Sequence, residues 1–333
     1  MDVKPFLILV VLVALAVSGC TTSAGGRWPA KGVVSPSDTP PAATVVQEDK
    51  LVISVIPERS HYLVGEPVYV AVRLRNSGDL AERVIESLHP EDGGVDLVIT
   101  GPDGRAVLFV PYGEADRDTE SNTSLSPGQT IGNMVPIFFG GNGWTFRKPG
   151  TYRIVAYFQF AAEKGKVRES KSSPATIEIV PSSQSTALVD DAEPVSQEAG
   201  KFLLWQAGDH LEKGLERLRA LLDREPDSPL ASYARFALGR SLSEPFMDYR
   251  KKTVRTPDCA AAQGYFSKVN DQHVTDYVRV QIAIANGRCA AFEKDRKSAI
   301  PYFSTAQDIM VNRPEYRTIE ARVSEQVKHL TRD

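Results

Sequence analysis

The six residues Ala237-Leu-Gly-Arg-Ser-Leu242 have a counterpart 48 residues later, in Ala285-Asn-Gly-Arg-Cys-Ala290. In the segments that follow, Ala262 and Ala299 each precede a phenylalanine by four positions. Apolar residues from Leu211 onward are spaced mostly three or four apart, which is the spacing of one face of an α-helix. The repeat therefore predicts that this part of the chain folds as antiparallel pairs of helices.

The residues after the second glycine resemble the tetratricopeptide (TPR) repeat. Counting from Gly287, the family places a small, an aromatic and a small residue 12, 16 and 19 positions later, and these are Ala299, Phe303 and Ala306 here. The chain departs from the family pattern by an insertion at 243–257 and by a repeat spacing other than 34 residues. The resemblance is therefore to a degenerate, TPR-like repeat.

In TPR proteins the first helices of the pairs line a concave groove that binds partner peptides. The resemblance places four side chains along such a groove: Tyr233, Arg240, Gln281 and Arg288. Because guanidinium groups bind carboxylates through paired hydrogen bonds, the two arginines are candidates for holding acidic groups of a partner protein. The alternative is that both arginines pair with acidic residues of the chain itself, such as Glu244 and Asp295.

Upstream of the helices, residues 50–181 follow a period of two. In Val68-Tyr-Val-Ala-Val-Arg-Leu-Arg75, four apolar side chains share one face, and Tyr69, Ala71 and two arginines share the other. This alternation is typical of a half-buried antiparallel strand. Gly101-Pro-Asp-Gly104 lies between two further apolar runs and predicts a hairpin. Seven or eight such strands in about 130 residues predict a sandwich of two sheets.

Two stretches of this half resemble bacterial immunoglobulin-like domains. They are Gly65–Gly78 and Phe146–Tyr157, and in the second Pro149-Gly-Thr-Tyr152 leads into a late strand. The sequence lacks the Cys…Trp…Cys pattern of antibody domains. The predicted fold class is an N-terminal immunoglobulin-like antiparallel β-sandwich followed by an all-α TPR-like helical-hairpin domain. Such a fold by itself says little about function.

Two features of the β half raise the question of a ligand. Residues 114–122 carry carboxylates at alternate positions, which suits calcium, but they lack the glycine and glutamate of an EF-hand. The simpler interpretation of this segment is a solvated acidic loop. Trp144 follows Gly140-Gly-Asn-Gly143 and either closes one end of the sandwich core or stacks on a sugar.

The first 19 residues have the pattern of a secretory signal peptide. Twelve apolar residues, Phe6–Val17, follow Lys4, and a helix that spans a membrane needs about 20. Val17-Ser-Gly-Cys20 resembles the lipobox of bacterial lipoproteins, in which a lipid is attached to the cysteine and the chain is cut just before it. The resemblance implies a membrane anchor at Cys20; the alternative is a plain secretory signal. In bacteria with two membranes, lipoproteins that stay in the inner membrane usually have an aspartate directly after the lipidated cysteine. Thr21 occupies this position here, so the resemblance implies the outer membrane if the host is such a bacterium.

The charge balance argues against a nucleic-acid partner. The 333 residues include 39 basic and 42 acidic ones, for a net charge of −3, whereas neutralising phosphates takes a basic surplus.

The 5 histidines are scattered, and neither a phosphate-binding loop nor a nucleophile elbow occurs, so we predict no enzyme, cofactor or metal. Besides Cys20, the chain has two further cysteines. Cys259 and Cys289 either form a disulfide or are two small buried residues.

These predictions divide the chain into five segments: a signal peptide at 1–19, a flexible tether at 20–49, the sandwich at 50–181, a linker at 182–195 and the helical domain at 196–333. Together they predict a lipid-anchored cell-envelope protein that acts as an interaction or scaffold module. Its TPR-like groove would hold an unidentified protein partner near the membrane. The alternatives are a module that binds cell-wall glycan or polysaccharide and an unrecognised envelope hydrolase. The sequence leaves the oligomeric state open.

Overall fold

The structure, a computed structural model, describes residues 50–113, 122–161, 167–182, 189, 194–249 and 252–332. The predicted signal peptide, Cys20 and the tether lie outside these residues, as does the acidic segment apart from Asn122. No helix within them combines the length and the apolar character needed to cross a membrane.

Strands make up the first part of the described chain. They are β1 (Leu51–Pro57), β2 (His61–Leu63), β3 (Tyr69–Asn76), β4 (Glu82–Ile85), β5 (Val95–Thr100), β6 (Ala106–Leu108), β7 (Asn122–Leu125), β8 (Thr130–Pro136), β9 (Phe139–Gly140), β10 (Gly143–Trp144), β11 (Gly150–Ala161), β12 (Val167–Lys171) and β13 (Ala175–Val180). The predicted hairpin is formed by β5 and β6, and Gly104 has the positive φ of 77° that its turn requires.

Two larger sheets organise these strands. A three-stranded sheet has the order β1–β3–β8, and a second has the order β2–β13–β11–β5–β6, with β12 also paired to β11. The pairing of β2 with β13 is parallel, and the other pairings described in these sheets are antiparallel. Because β1 contacts β11, β12 and β13, the two sheets pack against each other.

The first half of the central strand β3 is buried on both faces. Val70 and Leu74 are fully buried, as the alternation predicts. Tyr69 and Ala71, which the sequence pattern places on a mixed outer face, are also buried. The reason is that helical residues cover this face: the ring centroid of Tyr69 lies 4.6 Å from that of Tyr277. The outer face of this strand is therefore an internal surface at Tyr69 and Ala71, whereas Arg75 near its end is exposed.

Helices dominate the chain from residue 194 onward. They are α1 (Pro194–Trp205), α2 (Glu212–Arg224), α3 (Pro229–Ser243), α4 (Cys259–Phe266), α5 (Asp276–Phe292), α6 (Arg296–Met310) and α7 (Arg317–Arg332). Helices α1 and α2, α3 and α4, and α5 and α6 pack as pairs. Helix α3 begins after Ser228, whose hydroxyl accepts a hydrogen bond from the backbone N–H of Ala231, so an N-cap residue sets its start. A β part followed by a helical part is therefore the observed architecture.

The insertion at 243–257 contains two short paired strands. Its strands are β14 (Phe246–Asp248) and β15 (Thr253–Arg255), and they pair antiparallel. The prediction of an all-α C-terminal domain is therefore wrong at this point. The helical periodicity stops at the insertion, and strands of three residues are too short to show an alternation of their own.

The β part and the helical part share one core. Residues 47–333 form a single compact unit, and one hydrophobic cluster runs from Leu51 to Val323. Helix α1 meets the β part at Gly200, where an added Cβ would lie 2.3 Å from the ring of Phe139. Only a residue without a side chain permits this approach. Most of the predicted linker at 182–195 lies outside the described residues, so its boundaries stay predictions.

Candidate functional site

The two glycines of the sequence repeat occupy equivalent positions in helices α3 and α5. A Cβ added at Gly239 would lie 2.5 Å from the ring of Phe266, and one added at Gly287 would lie 2.8 Å from the ring of Phe303. In each pair the second helix therefore presses an aromatic ring onto the backbone of the first. This close crossing is the physical reason for the repeated combination of a glycine and a phenylalanine.

The arginines that follow these glycines converge on one acidic residue. Nη1 of Arg240 and Nη1 of Arg288 lie 2.7 and 2.6 Å from the same oxygen, Oε1 of Glu244. Burial opposes the charge on Glu244, but the two guanidinium groups outweigh it and lower the pKa of this carboxyl. Asp295 does not join them, because its side chain instead accepts a hydrogen bond from the N–H of Ser298 and caps α6.

A second ion pair borders the first. Nε of Arg255 lies 2.7 Å from Oδ2 of Asp209, and Nη2 of Arg255 donates to the carbonyl oxygen of Ser241 at 2.6 Å. We call Arg240, Arg255, Arg288, Asp209 and Glu244 the arginine cluster. It contains three cationic and two anionic side chains, so one positive charge is left over. The side chain of Arg288 is 38% exposed, and the cluster is therefore open to solvent on its side.

The other two predicted groove residues lie in different surroundings. Gln281 is half-buried on α5, seven residues before Arg288 and thus on the same face of that helix. Tyr233 is 1% exposed, and its hydroxyl accepts a hydrogen bond from Nη2 of Arg59 at 2.7 Å. Because Arg59 belongs to the β part and also pairs with the buried Glu66, the β part covers this end of the helical surface.

Buried charges join the β part to the helical part near Glu315. The side chain of Glu315 is fully buried and accepts hydrogen bonds from Nε and Nη2 of Arg73, at 2.9 and 3.0 Å. Nε of Arg313 donates to the same carboxylate at 3.0 Å. Burial opposes the charge, but the hydrogen bonds from both arginines outweigh it and lower the pKa of Glu315. This side chain is therefore a charged link between strand β3 and the helical part.

A second buried carboxylate, Glu58, lies at the same interface. Its Oε1 accepts hydrogen bonds from the backbone N–H of Tyr277 at 3.0 Å and from the hydroxyl of Tyr316 at 3.2 Å. Arg313 lies 3.5 Å from this oxygen. Burial nevertheless raises the pKa of Glu58. The interface is thus polar and hydrogen-bonded as well as apolar.

Trp144 closes one end of the β part. It is 2% exposed, and its ring lies edge-on to Phe139 with centroids 5.5 Å apart. Its Nε1–H donates to the hydroxyl and to the carbonyl oxygen of Ser196 in α1, at 3.0 and 3.2 Å. The indole therefore has no open face on which a sugar could stack.

Cys259 and Cys289 form a disulfide, with Cα atoms 5.4 Å apart. Cys259 is the first residue of α4, and Cys289 lies near the end of α5. Because Cys259 follows the end of strand β15 by four residues, the bridge connects the chain just after the β14–β15 hairpin to helix α5. Within the described ranges, no three His, Cys, Asp or Glu side chains come together as a metal ion would require.

Sequence reasoning missed part of this site. Arg255 and Asp209 have no counterpart in the repeat, and they lie 46 residues apart in the chain. The partners Arg73 and Glu315 are 242 residues apart. No local pattern links residues at such separations. By contrast, Arg240 and Arg288 were found because the repeat itself places them at equivalent positions.

Comparisons with known proteins assign the chain to no family. No protein-family model matches it, and neither does a curated protein. Among solved structures, it is similar to the β-glucosidase EmGH1 from Erythrobacter marinus, at 19% identity and a TM-score of 0.22; the match covers 39% of this chain and 15% of the length of that enzyme.

Two other solved structures show a similar degree of likeness. The CARDB domain of a Pyrococcus furiosus protein in complex with di-metal ions is 15% identical, with a TM-score of 0.22, and the match covers 40% of this chain and 94% of that domain. The sporulation control protein Spo0M from Bacillus subtilis is 11% identical, with a TM-score of 0.22 and coverage of 47% and 54%. TM-scores this low carry no argument about fold or activity.

Proposed function

We propose that this chain is a lipid-anchored protein of a bacterial cell envelope, and that its helical part binds an acidic segment of a partner protein near the membrane. In this proposal the β part is an immunoglobulin-like sandwich and the helical part a degenerate TPR-like array. Arg240 and Arg288 do pair with Glu244, which is the alternative left open by the sequence. The observation that carries the proposal is therefore the positive charge that the arginine cluster keeps beyond its two carboxylates, beside the solvent-exposed Arg288.

The donors of the arginine cluster favour a second carboxylate. A guanidinium group has five N–H donors, and a single contact to Glu244 leaves donors over. The side chain of Arg288 is 38% exposed, so its guanidinium group can be reached from solvent. The surplus positive charge of the cluster would be neutralised by one acidic group of a partner. The half-buried Gln281 extends the same helix face beside Arg288 and can contribute an amide.

The pairing of glycine with phenylalanine supports the TPR-like interpretation. Gly239 with Phe266 and Gly287 with Phe303 provide the small-to-aromatic contact that the repeat family uses between its two helices. The β part covers Tyr233, so the proposed groove is shorter than in an isolated helical array. A partner would therefore bind at the C-terminal ends of α3 and α5, where the arginine cluster lies.

We expect the substitution Cys20→Ala to move the protein from the membrane fraction to the soluble fraction. The acyl chains attached to a lipobox cysteine supply the anchoring energy. The remaining apolar run of 12 residues is shorter than the roughly 20 that a spanning helix needs. Fractionation of cells followed by immunoblotting measures the outcome, and Thr22→Ala is the matched control. A Cys20→Ala protein that stays with the membrane would contradict the anchor.

We expect the double charge reversal Arg240→Glu/Arg288→Glu to reduce recovery of the partner at least about tenfold. A hydrogen bond to a charged group contributes roughly 1.5–3 kcal/mol, and the new acidic side chains would also repel the partner. Quantitative mass spectrometry after crosslinking in cells measures recovery. The exposed pair Arg317→Glu/Arg322→Glu in α7 is the control. Equal recovery from both double variants would contradict the proposal.

A further inference from the structure

Glu244 occupies the place in the arginine cluster that a carboxylate from outside the chain would need. Its Oε1 lies 2.7 Å from Nη1 of Arg240 in α3 and 2.6 Å from Nη1 of Arg288 in α5, so one oxygen receives a donor from each of the two equivalent helices. Guanidinium groups bind carboxylates through short, charge-assisted hydrogen bonds. An acidic group of a partner and the side chain of Glu244 would therefore compete for the same two donors.

The side chain of Glu244 is the member of this group that can leave. It is 40% exposed, whereas the side chain of Arg240 is only 13% exposed. Arg240 has a further contact, because its Nε donates to Oε1 of Gln206, just after α1, at 3.4 Å. Ion pairs that are open to solvent are screened and hold their members weakly. Arg240 would thus keep its position while the carboxylate of Glu244 turns toward solvent.

The backbone that carries Glu244 is fixed independently of its side chain. The hydroxyl of Ser243 donates to the carbonyl oxygen of Arg240 at 2.9 Å. Sγ of Cys289 lies 3.9 Å from the carbonyl oxygen of Ser243, and Cys289 is itself held by the disulfide to Cys259. Rotation of the Glu244 side chain alone would therefore open the site, and the surrounding backbone would not have to move.

We propose that Glu244 is a built-in competitor, which holds the two arginines in the free protein and is displaced by an acidic group of the partner. This inference rests on the proposed function, because it assumes that the cluster receives a carboxylate. The spare donors of Arg288 would make the first contact, and departure of Glu244 would then release Nη1 of both arginines. Burial opposes the charge on Glu244, but Arg240 and Arg288 lower its pKa, so it competes as an anion at neutral pH.

Binding of a dye-labelled oligoglutamate peptide to the full chain in detergent solution tests this competition. Fluorescence anisotropy compares the wild type with Glu244→Ala. We expect the variant to bind about tenfold more tightly, since hydrogen bonds to a charged group no longer have to be exchanged. The matched control is Glu293→Ala, which removes the same charge from an exposed position directly after α5. Because salt screens a charge that makes no direct contact with the peptide, this control should change the affinity less than about twofold.

Two further variants make the test specific. Glu244→Gln keeps the volume of the side chain and loses the charge, and we expect it to bind the peptide more tightly than the wild type. Adding Arg240→Glu/Arg288→Glu to Glu244→Ala should abolish the gain in affinity. Thermal unfolding followed by circular dichroism checks that each variant is folded.

The inference and the proposed function can fail separately. Equal peptide affinities of the wild type and both Glu244 variants, no binding by any of them, or an equal gain in Glu293→Ala would overturn the inference. A cellular partner that depends on the two arginines would leave the proposed function intact in each of these cases. Tighter binding of the peptide by both Glu244 variants, with no such partner in cells, would support the competitor and reject the proposed function.

Discussion

Replacing Glu315 by alanine is expected to lower the free energy of unfolding by about 3–5 kcal/mol, because removal of one partner leaves buried charges uncompensated. The carboxylate is fully buried and accepts hydrogen bonds from Arg73 and Arg313. Arg73 lies on the central strand β3, whereas Glu315 belongs to the turn before α7. Loss of this residue would therefore weaken the attachment of the helical part to the β part. Urea unfolding of the purified protein measures the change.

Two further variants make this prediction specific. Glu325→Ala removes a carboxylate whose side chain is 70% exposed and whose partner is His329. Exposed pairs contribute about 0–1 kcal/mol, so its effect should be small. Glu315→Gln keeps the volume and loses the charge, and it should fall between the two. Equal stability of Glu315→Ala and Glu325→Ala would contradict the role given to the buried network.

The substitution Trp144→Ala is expected to cost about 3–5 kcal/mol of stability, the range for truncating a buried aromatic side chain. The indole fills the end of the β part against Phe138 and Phe139 and donates its N–H to Ser196 of α1. Its removal leaves a cavity and an unsatisfied group at the contact between the two parts. Thermal unfolding followed by circular dichroism measures the loss.

Trp205→Ala is the matched control, since Trp205 is 46% exposed at the end of α1. It contacts the half-buried Tyr112, and we expect its truncation to cost much less than that of Trp144. If Trp144 were a sugar-binding platform, its removal would abolish glycan binding and leave stability unchanged. That outcome would favour the glycan-binding alternative over the packing role.

The elements that the sequence predicts best are those with strong local patterns. The alternation in Val68–Arg75 predicts β3, and the turn residues Gly101–Gly104 predict the β5–β6 hairpin. The helix pairs α3–α4 and α5–α6 follow from the apolar spacing and the repeat. The short pairs β4–β7 and β14–β15 were not predicted, because strands of three or four residues carry too little periodicity to be distinguished from loops.

The candidate site was predictable only in part. Equivalent positions in the repeat identify Arg240 and Arg288, and their pairing with Glu244 was the stated alternative to a binding role. The burial of Tyr233 was not predictable, since it depends on Arg59 reaching across from a strand-rich segment 174 residues away. Tertiary packing of the β part on the helices decides which groove residues remain accessible.

This packing also changes the meaning of the two predicted halves. The interface contains Glu58, Glu66 and Glu315, which are buried and hydrogen-bonded. Burying several carboxylates between two parts of a chain is unfavourable unless each finds its partner. The β part is therefore expected to fix the helical part in position.

Site-specific crosslinking from Gln281 tests the central claim most directly. A photoreactive amino acid at this position lies on the same face of α5 as Arg288, and one at Arg322 in α7 serves as the control. The account predicts that one cellular protein is crosslinked from position 281 and is not crosslinked from position 322. This crosslinked product should disappear when Arg240→Glu/Arg288→Glu is added. Crosslinked products that are the same from both positions, or that persist after the charge reversal, would contradict it.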